Sequence, residues 1–136
     1  MQKKGNTYGT QRVIEPQGVL PQPALRVDND FSKIYDNEIL CDVDTLNIDS
    51  ASFTDIKDRA NNDPKEVERI VLDIVDQFGK HKNPNTGSGG MFIGKVSKIG
   101  DKLRGKIDLK EGDRIASLVS LSLTPLYIDK IKEIRL

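Results

Sequence analysis

The run from Asp63 to Gly79 restricts the fold more than any other part of the chain. Asp63 is a suitable N-cap, Pro64 fits the first helical position, and Glu66 stands where it completes a capping box. Val67, Ile70, Val71, Ile74, Val75 and Phe78 then recur at the three- and four-residue intervals of one helix face, and Gly79 supplies the stop. The pattern predicts a long amphipathic helix over about 64–78. Its apolar wall must be covered by the rest of the chain, so the stripe reads as core and not as a cofactor contact.

What surrounds that helix reads mainly as β structure. Asn37–Ile48 is the clearest strand, and shorter candidates lie at Thr10–Glu15 and Ala24–Val27, among the prolines of an extended opening segment. A short helix is expected around Ser52–Arg59, with Asp49 or Ser50 as its cap. "KEGDR" is a turn. The following "RIASLVSLSL" places apolar residues on both faces, as in a strand covered from both sides, until Pro125 breaks it. The final "YIDKIKEIRL" reads as part of a further element. The fold class expected is α+β, in one domain by length.

"GGMFIGKV" (Gly89–Val96) imitates a phosphate-binding loop without its working parts. Val96 stands where such a loop needs a Ser or Thr for magnesium, and the preceding "KHKNPNT" is not a strand. Met91, Ile93, Lys95 and Ser97 alternate with Phe92, Gly94, Val96 and Lys98, the period of a strand entered through a glycine-rich turn.

Composition excludes several classes. Lys plus Arg and Asp plus Glu both total 21, so no net field favours nucleic acid or an anionic membrane. No apolar run is long enough to span a membrane, and "MQKKGNTYGT" lacks a signal-peptide core; a cytoplasmic protein is expected. The lone Cys41 reads as a small buried apolar residue rather than a nucleophile. His81, alone in a Lys-rich loop, reads as a solvated surface residue. Asp42 and Asp44 read as a solvated strand face.

The spacing Gly94-x-Val96-x-x-Ile99-Gly100 followed by Gly112-Asp113-Arg114-Ile115 resembles the catalytic domain of the medium-chain dehydrogenases. Four further blocks resemble the diamino-acid dehydrogenases among them: "YGTQRVIEPQGVLPQPA", "LNIDSASF", "NPNTGSGGMFIGKV" and "ASLVSLSLTPL". The resemblance implies that residues 1–136 form a GroES-like, partly open β-barrel, a substrate and catalytic domain. It also implies oxidative deamination of a diamino-acid substrate with NAD or NADP. A homo-oligomer is implied for the full-length enzyme.

This chain departs from its zinc-dependent relatives at every ligand. Gly90, Met91 and Ile48 fall where His, Glu and Cys are expected, so no zinc is expected. It also holds no strand–Gly-x-Gly-x-x-Gly–helix unit. The Rossmann cofactor domain is therefore expected outside this chain, and the chain alone is expected to be inactive.

Deamination needs a base for the amine and partners for two ammonium groups and one carboxylate. Asp49 and Ser50, at the strand-to-helix turn, are the catalytic candidates, with helix capping as the plainer role. Thr86 and Ser88 are candidates for substrate or catalytic water, unless they are ordinary turn residues. Tyr8 and Arg12 are candidates for the substrate carboxylate, unless they are solvated or at the edge of the core. The competing class is a stand-alone GroES-like binding module without catalysis, or a zinc-free quinone-reductase-like enzyme.

Overall fold

A computed structural model describes residues 2–136. In chain order it contains strands β1 (Val13–Glu15), β2 (Arg26–Val27) and β3 (Ile39–Ile48), helices α1 (Ser50–Arg59) and α2 (Pro64–Phe78), and strands β4 (Gly90–Ile99) and β5 (Arg114–Ser117). The class is α+β.

Helix α2 begins where the Asp63 carboxylate accepts the Lys65 N–H at 3.0 Å. The capping box is only half formed. The Asp63 N–H donates to Ala60 O, so Glu66 has no backbone donor to satisfy and accepts from Arg69 instead. Gly79 ends the helix in the left-handed region, φ 71°, donating to Val75 O. Val67, Ile70, Val71 and Ile74 bury against Ile56 and Ala60 of the α1 segment, with Phe53 and Phe78 partly buried around them. Burying each such side chain contributes roughly 1.5–3 kcal/mol, so this face dominates the core.

The end of the chain completes that core. Ile128, Ile131 and Ile134 pack against it, yet Tyr127–Leu136 forms neither helix nor strand. The element expected there is instead an irregular strap, whose isoleucines meet the helices.

Among the described residues the strands form two antiparallel sheets, β1-β2 and β3-β4-β5, and no closed barrel. β1, β2 and β5 have only 3, 2 and 4 residues, too few ladder bonds to close one. The expected strand at Thr10–Glu15 opens as a 3-10 turn over Thr10–Arg12. β4 alternates as its sequence suggests, with Phe92, Gly94 and Val96 buried. Gly94 permits close pairing: a Cβ there would overlap Asp42 O of β3.

The strand expected over "RIASLVSLSL" stops at Ser117. Leu118 and Val119 are 85% and 52% exposed, so the segment is not covered from both sides. Beyond Ser117 the chain turns, and Leu121 and Ser122 return to the interior, the Leu121 N–H on Gly90 O at 2.9 Å. Cys41 is half-buried, not fully so. Burial, then the Asp42 charge, push its thiol pKa up. Asp42 and Asp44 are exposed as expected, Asp44 3.8 Å from Arg114. No helix among the described residues is long and apolar enough to cross a membrane.

Candidate functional site

β3 pairs with β4 up to Ile48 opposite Gly90, and the next residue is pinned by its backbone: Asp49 N–H donates to Gly89 O at 2.9 Å. α1 starts immediately, with the Phe53 N–H on Asp49 O. Asp49 therefore occupies the cap position, but its side chain makes no capping bond. A carboxylate at the end of a strand, exposed and unengaged, is left over. Ser50, the first residue of α1, is also exposed.

Opposite this turn lies the loop from Lys80 to Gly89. Thr86 and Ser88 meet there: their hydroxyls are 2.7 Å apart, and the Ser88 N–H reaches Thr86 Oγ1 at 3.3 Å. Asp49 and Ser50 thus adjoin the segment bearing Thr86 and Ser88, through the Asp49–Gly89 bond. Gly89 has to be small, since a Cβ would lie 2.5 Å from Ser122 N and 2.9 Å from His81 O. Gly89 and Gly90 serve close backbone packing, whereas Gly87 takes a positive φ in open space.

Beneath the turn is a buried polar cluster that the sequence reading missed. His81 is completely buried, which overturns its assignment as a solvated residue. The loop folds back onto α1, so His81 Nε2 lies 3.3 Å from Ser52 Oγ, itself buried. Burial, partly offset by the Asp49 charge, lowers the imidazole pKa to about 4, so the ring is neutral near pH 7. Buried Asn83 is the hub: its Nδ2 donates to Ser52 Oγ at 3.1 Å, Ser52 O at 3.3 Å and Asp55 Oδ2 at 3.0 Å. Its Oδ1 accepts the Asn85 and Thr86 N–H groups, at 2.8 and 3.4 Å. Lys80, equally buried, anchors the loop's start on Pro21 O at 2.7 Å. The signal available in sequence was "NPNT", where Asn before Pro and before Thr favours side-chain-closed turns. Ser52, one helical turn after Asp49, carried no signal.

The other two candidates lie elsewhere. Tyr8 is 71% exposed and, with Arg12, Gln11, Glu38 and Thr124, lines a cleft of about 290 Å³. None of the other four candidates lines it. Arg12 is 4% exposed, and its donors are all engaged: Nε and Nη2 hold Glu38, Nη1 holds Asp28 and Asp30 O, and Nη2 also reaches Lys33 O. Phe31 and Tyr35 flank the guanidinium. With five N–H groups spent on five acceptors, Arg12 has none to offer a substrate carboxylate. It organises the opening segment instead.

The fold and the turn define an α+β domain with an unengaged carboxylate at a strand-to-helix junction, backed by a buried imidazole. Sequence comparison supplies the family. Residues 11–136 match the L-erythro-3,5-diaminohexanoate dehydrogenase N-terminal domain, and the chain belongs to that family. It is 61% identical over 132 residues to an L-erythro-3,5-diaminohexanoate dehydrogenase of Acetoanaerobium sticklandii, covering 97% of this chain and 38% of that protein. A Fusobacterium nucleatum subsp. nucleatum protein of the same name is 62% identical over 133 residues, 98% of this chain and 38% of its own length. The chain thus spans 38% of the length of these relatives.

Proposed function

We propose that this chain is the GroES-like, substrate-side domain of a zinc-independent dehydrogenase. The whole enzyme oxidatively deaminates L-erythro-3,5-diaminohexanoate to 5-amino-3-oxohexanoate and ammonia with NAD or NADP, in lysine fermentation. The observation that carries this reading is the 61–62% identity, over nearly the whole chain, with dehydrogenases of that name. The protein works in the cytoplasm, and the full-length enzyme is a homo-oligomer.

The described residues do not fit a dinucleotide. The peptide groups around Gly87–Gly90 are already engaged, Gly87 N–H with Asn83 O and Gly89 O with Asp49 N–H. The cofactor would then be held by the length of the relatives that this chain does not span.

The residues of this chain handle the amine and water. Asp49 accepts hydrogen bonds from the C3 ammonium and takes its proton, since the nitrogen must be neutral before C3 can lose hydride. Its carboxylate is free for this because it does not cap α1. Ser50, beside it, shares the proton's route to solvent. The Thr86–Ser88 hydroxyl pair orients the water that attacks the imine.

The test starts with the coding frame beyond Leu136. If the frame continues into a dinucleotide-binding unit, the joined protein should reduce NAD or NADP with 3,5-diaminohexanoate. Asp49→Asn should then lower kcat by about 100-fold or more, the usual range for a lost acid–base group. A complete enzyme that reduces neither cofactor with this substrate overturns the reading.

A further inference from the structure

The buried cluster under the turn has a direction. Two backbone N–H groups, of Asn85 and Thr86, donate to Asn83 Oδ1, which fixes the orientation of that amide. Nδ2 is therefore the atom facing Ser52 Oγ, at 3.1 Å. Having accepted that hydrogen, the Ser52 hydroxyl still has its own to give, and His81 Nε2 lies 3.3 Å away as an acceptor for it. An imidazole that is neutral and accepts at Nε2 carries its proton at Nδ1.

Among the described residues, Nδ1 of His81 is the buried side-chain polar atom left without a partner. Buried donors are almost always satisfied, and leaving one unmade costs about 1–3 kcal/mol. One helical turn before Ser52 stands Asp49, at the cap position of α1 but with no side-chain capping bond. Gly89 lies between the two: its carbonyl accepts from Asp49 N–H, and its Cα packs against His81 O. The Asp49 charge acts on the ring. Asp49 and His81 thus meet the same glycine through their backbones, one with an unengaged carboxylate and the other with an unpartnered ring nitrogen.

We infer that His81 is a positioning residue for Asp49. Its Nδ1–H, unpartnered and closed to water in the described conformation, draws one oxygen of the exposed Asp49 carboxylate inward as its acceptor and leaves the other oxygen for a cationic amine. The identity of that amine rests on the proposed function. The pairing of His81 with Asp49 does not.

His81 is the only histidine in the chain, so its two ring nitrogens are identified without ambiguity in a nitrogen-15 spectrum of the labelled protein. At pH 7 the expected spectrum shows a neutral ring, with Nδ1 at the protonated and Nε2 at the unprotonated position. Asp49→Asn should move the Nδ1 resonance and lower the ring pKa further, while the amide spectrum keeps the native pattern. Ser52→Ala should move Nε2 instead. A proton found on Nε2 in the unaltered protein overturns the proposal. So does an Nδ1 resonance unmoved by Asp49→Asn. The experiment uses no substrate, so its outcome is independent of the deamination assay.

Discussion

Arg12 holds Glu38 at two points, Nε to Oε2 and Nη2 to Oε1, both at 2.9 Å, with Arg12 buried. This fork ties the 3-10 turn before β1 to the segment entering β3, and the remaining guanidinium hydrogens gather Asp28, Asp30 O and Lys33 O. Removing one partner leaves the other charge uncompensated. Arg12→Leu should cost about 3–5 kcal/mol in urea unfolding. Arg12→Lys should recover only part of that loss, because one ammonium cannot span Glu38, Asp28 and two carbonyls.

The same pair sets an acid limit. Burial opposes ionisation of Glu38, but hydrogen bonds from Arg12 and the Tyr35 N–H, with the Arg12 charge, outweigh it and hold the carboxyl below its ordinary value. A depressed folded pKa means stabilisation that is present above the unfolded value and lost as pH falls through the folded one. Glu38→Gln should weaken the dependence of the urea midpoint on pH below the ordinary carboxylate range.

His81 acts in a higher window. Its pKa falls from 6.5 when unfolded to about 4 when folded, so below pH 6.5 the unfolded chain takes up a proton that the folded chain does not. Stability should therefore fall between pH 6.5 and about 4, by about 3 kcal/mol in all. His81→Gln should flatten that part of the profile, read as urea midpoints at successive pH values.

Gly79 and Gly105 both have positive φ, 71° and 75°. Around Gly105 a Cβ meets nothing within 4 Å, whereas at Gly79 it would overlap Val27 O. Gly105→Ala should cost about 1–2 kcal/mol, the strain of the left-handed region alone. Gly79→Ala should cost clearly more, since β2 must also move away from the end of α2. Thermal melts of the two variants make the comparison.

The terminal strap should come loose by steps. Ile131→Ala removes a partly buried contact on the helix pair and should cost on the order of 1–2 kcal/mol. Hydrogen exchange should then rise across residues 128–136 before it rises in α2. Equal acceleration in both would show that strap and helix open as one unit.

Much of the framework was legible because its causes are local. The residues that start α2 are adjacent to it, its stripe needs only the helical period, and Gly79 stops it by its own backbone freedom. β4 was legible from its period of two. β5 was overextended because alternation in "RIASLVSLSL" continues past Ser117 although its pairing with β4 does not: Phe92 meets Ser117, and the chain then turns away. The strand-to-helix turn at Asp49 was legible too, and its backbone joins, at Gly89, the loop that carries Thr86 and Ser88. Arg12 misled because a charge in a family-like block looks available until its five acceptors are counted.

The sequence by itself determined helix α2, the strand β4 and the apolar face that must be covered, since those follow from neighbours within a few residues. Only the tertiary structure decided what is buried among the polar residues. His81, Asn83 and Ser52 are 29 to 31 residues apart along the chain across their hydrogen bonds. They leave water together because the loop folds back on α1 and satisfies most of their polar atoms there. Whether a polar side chain is solvated or interred depends on partners brought from a distance, and no local pattern records them.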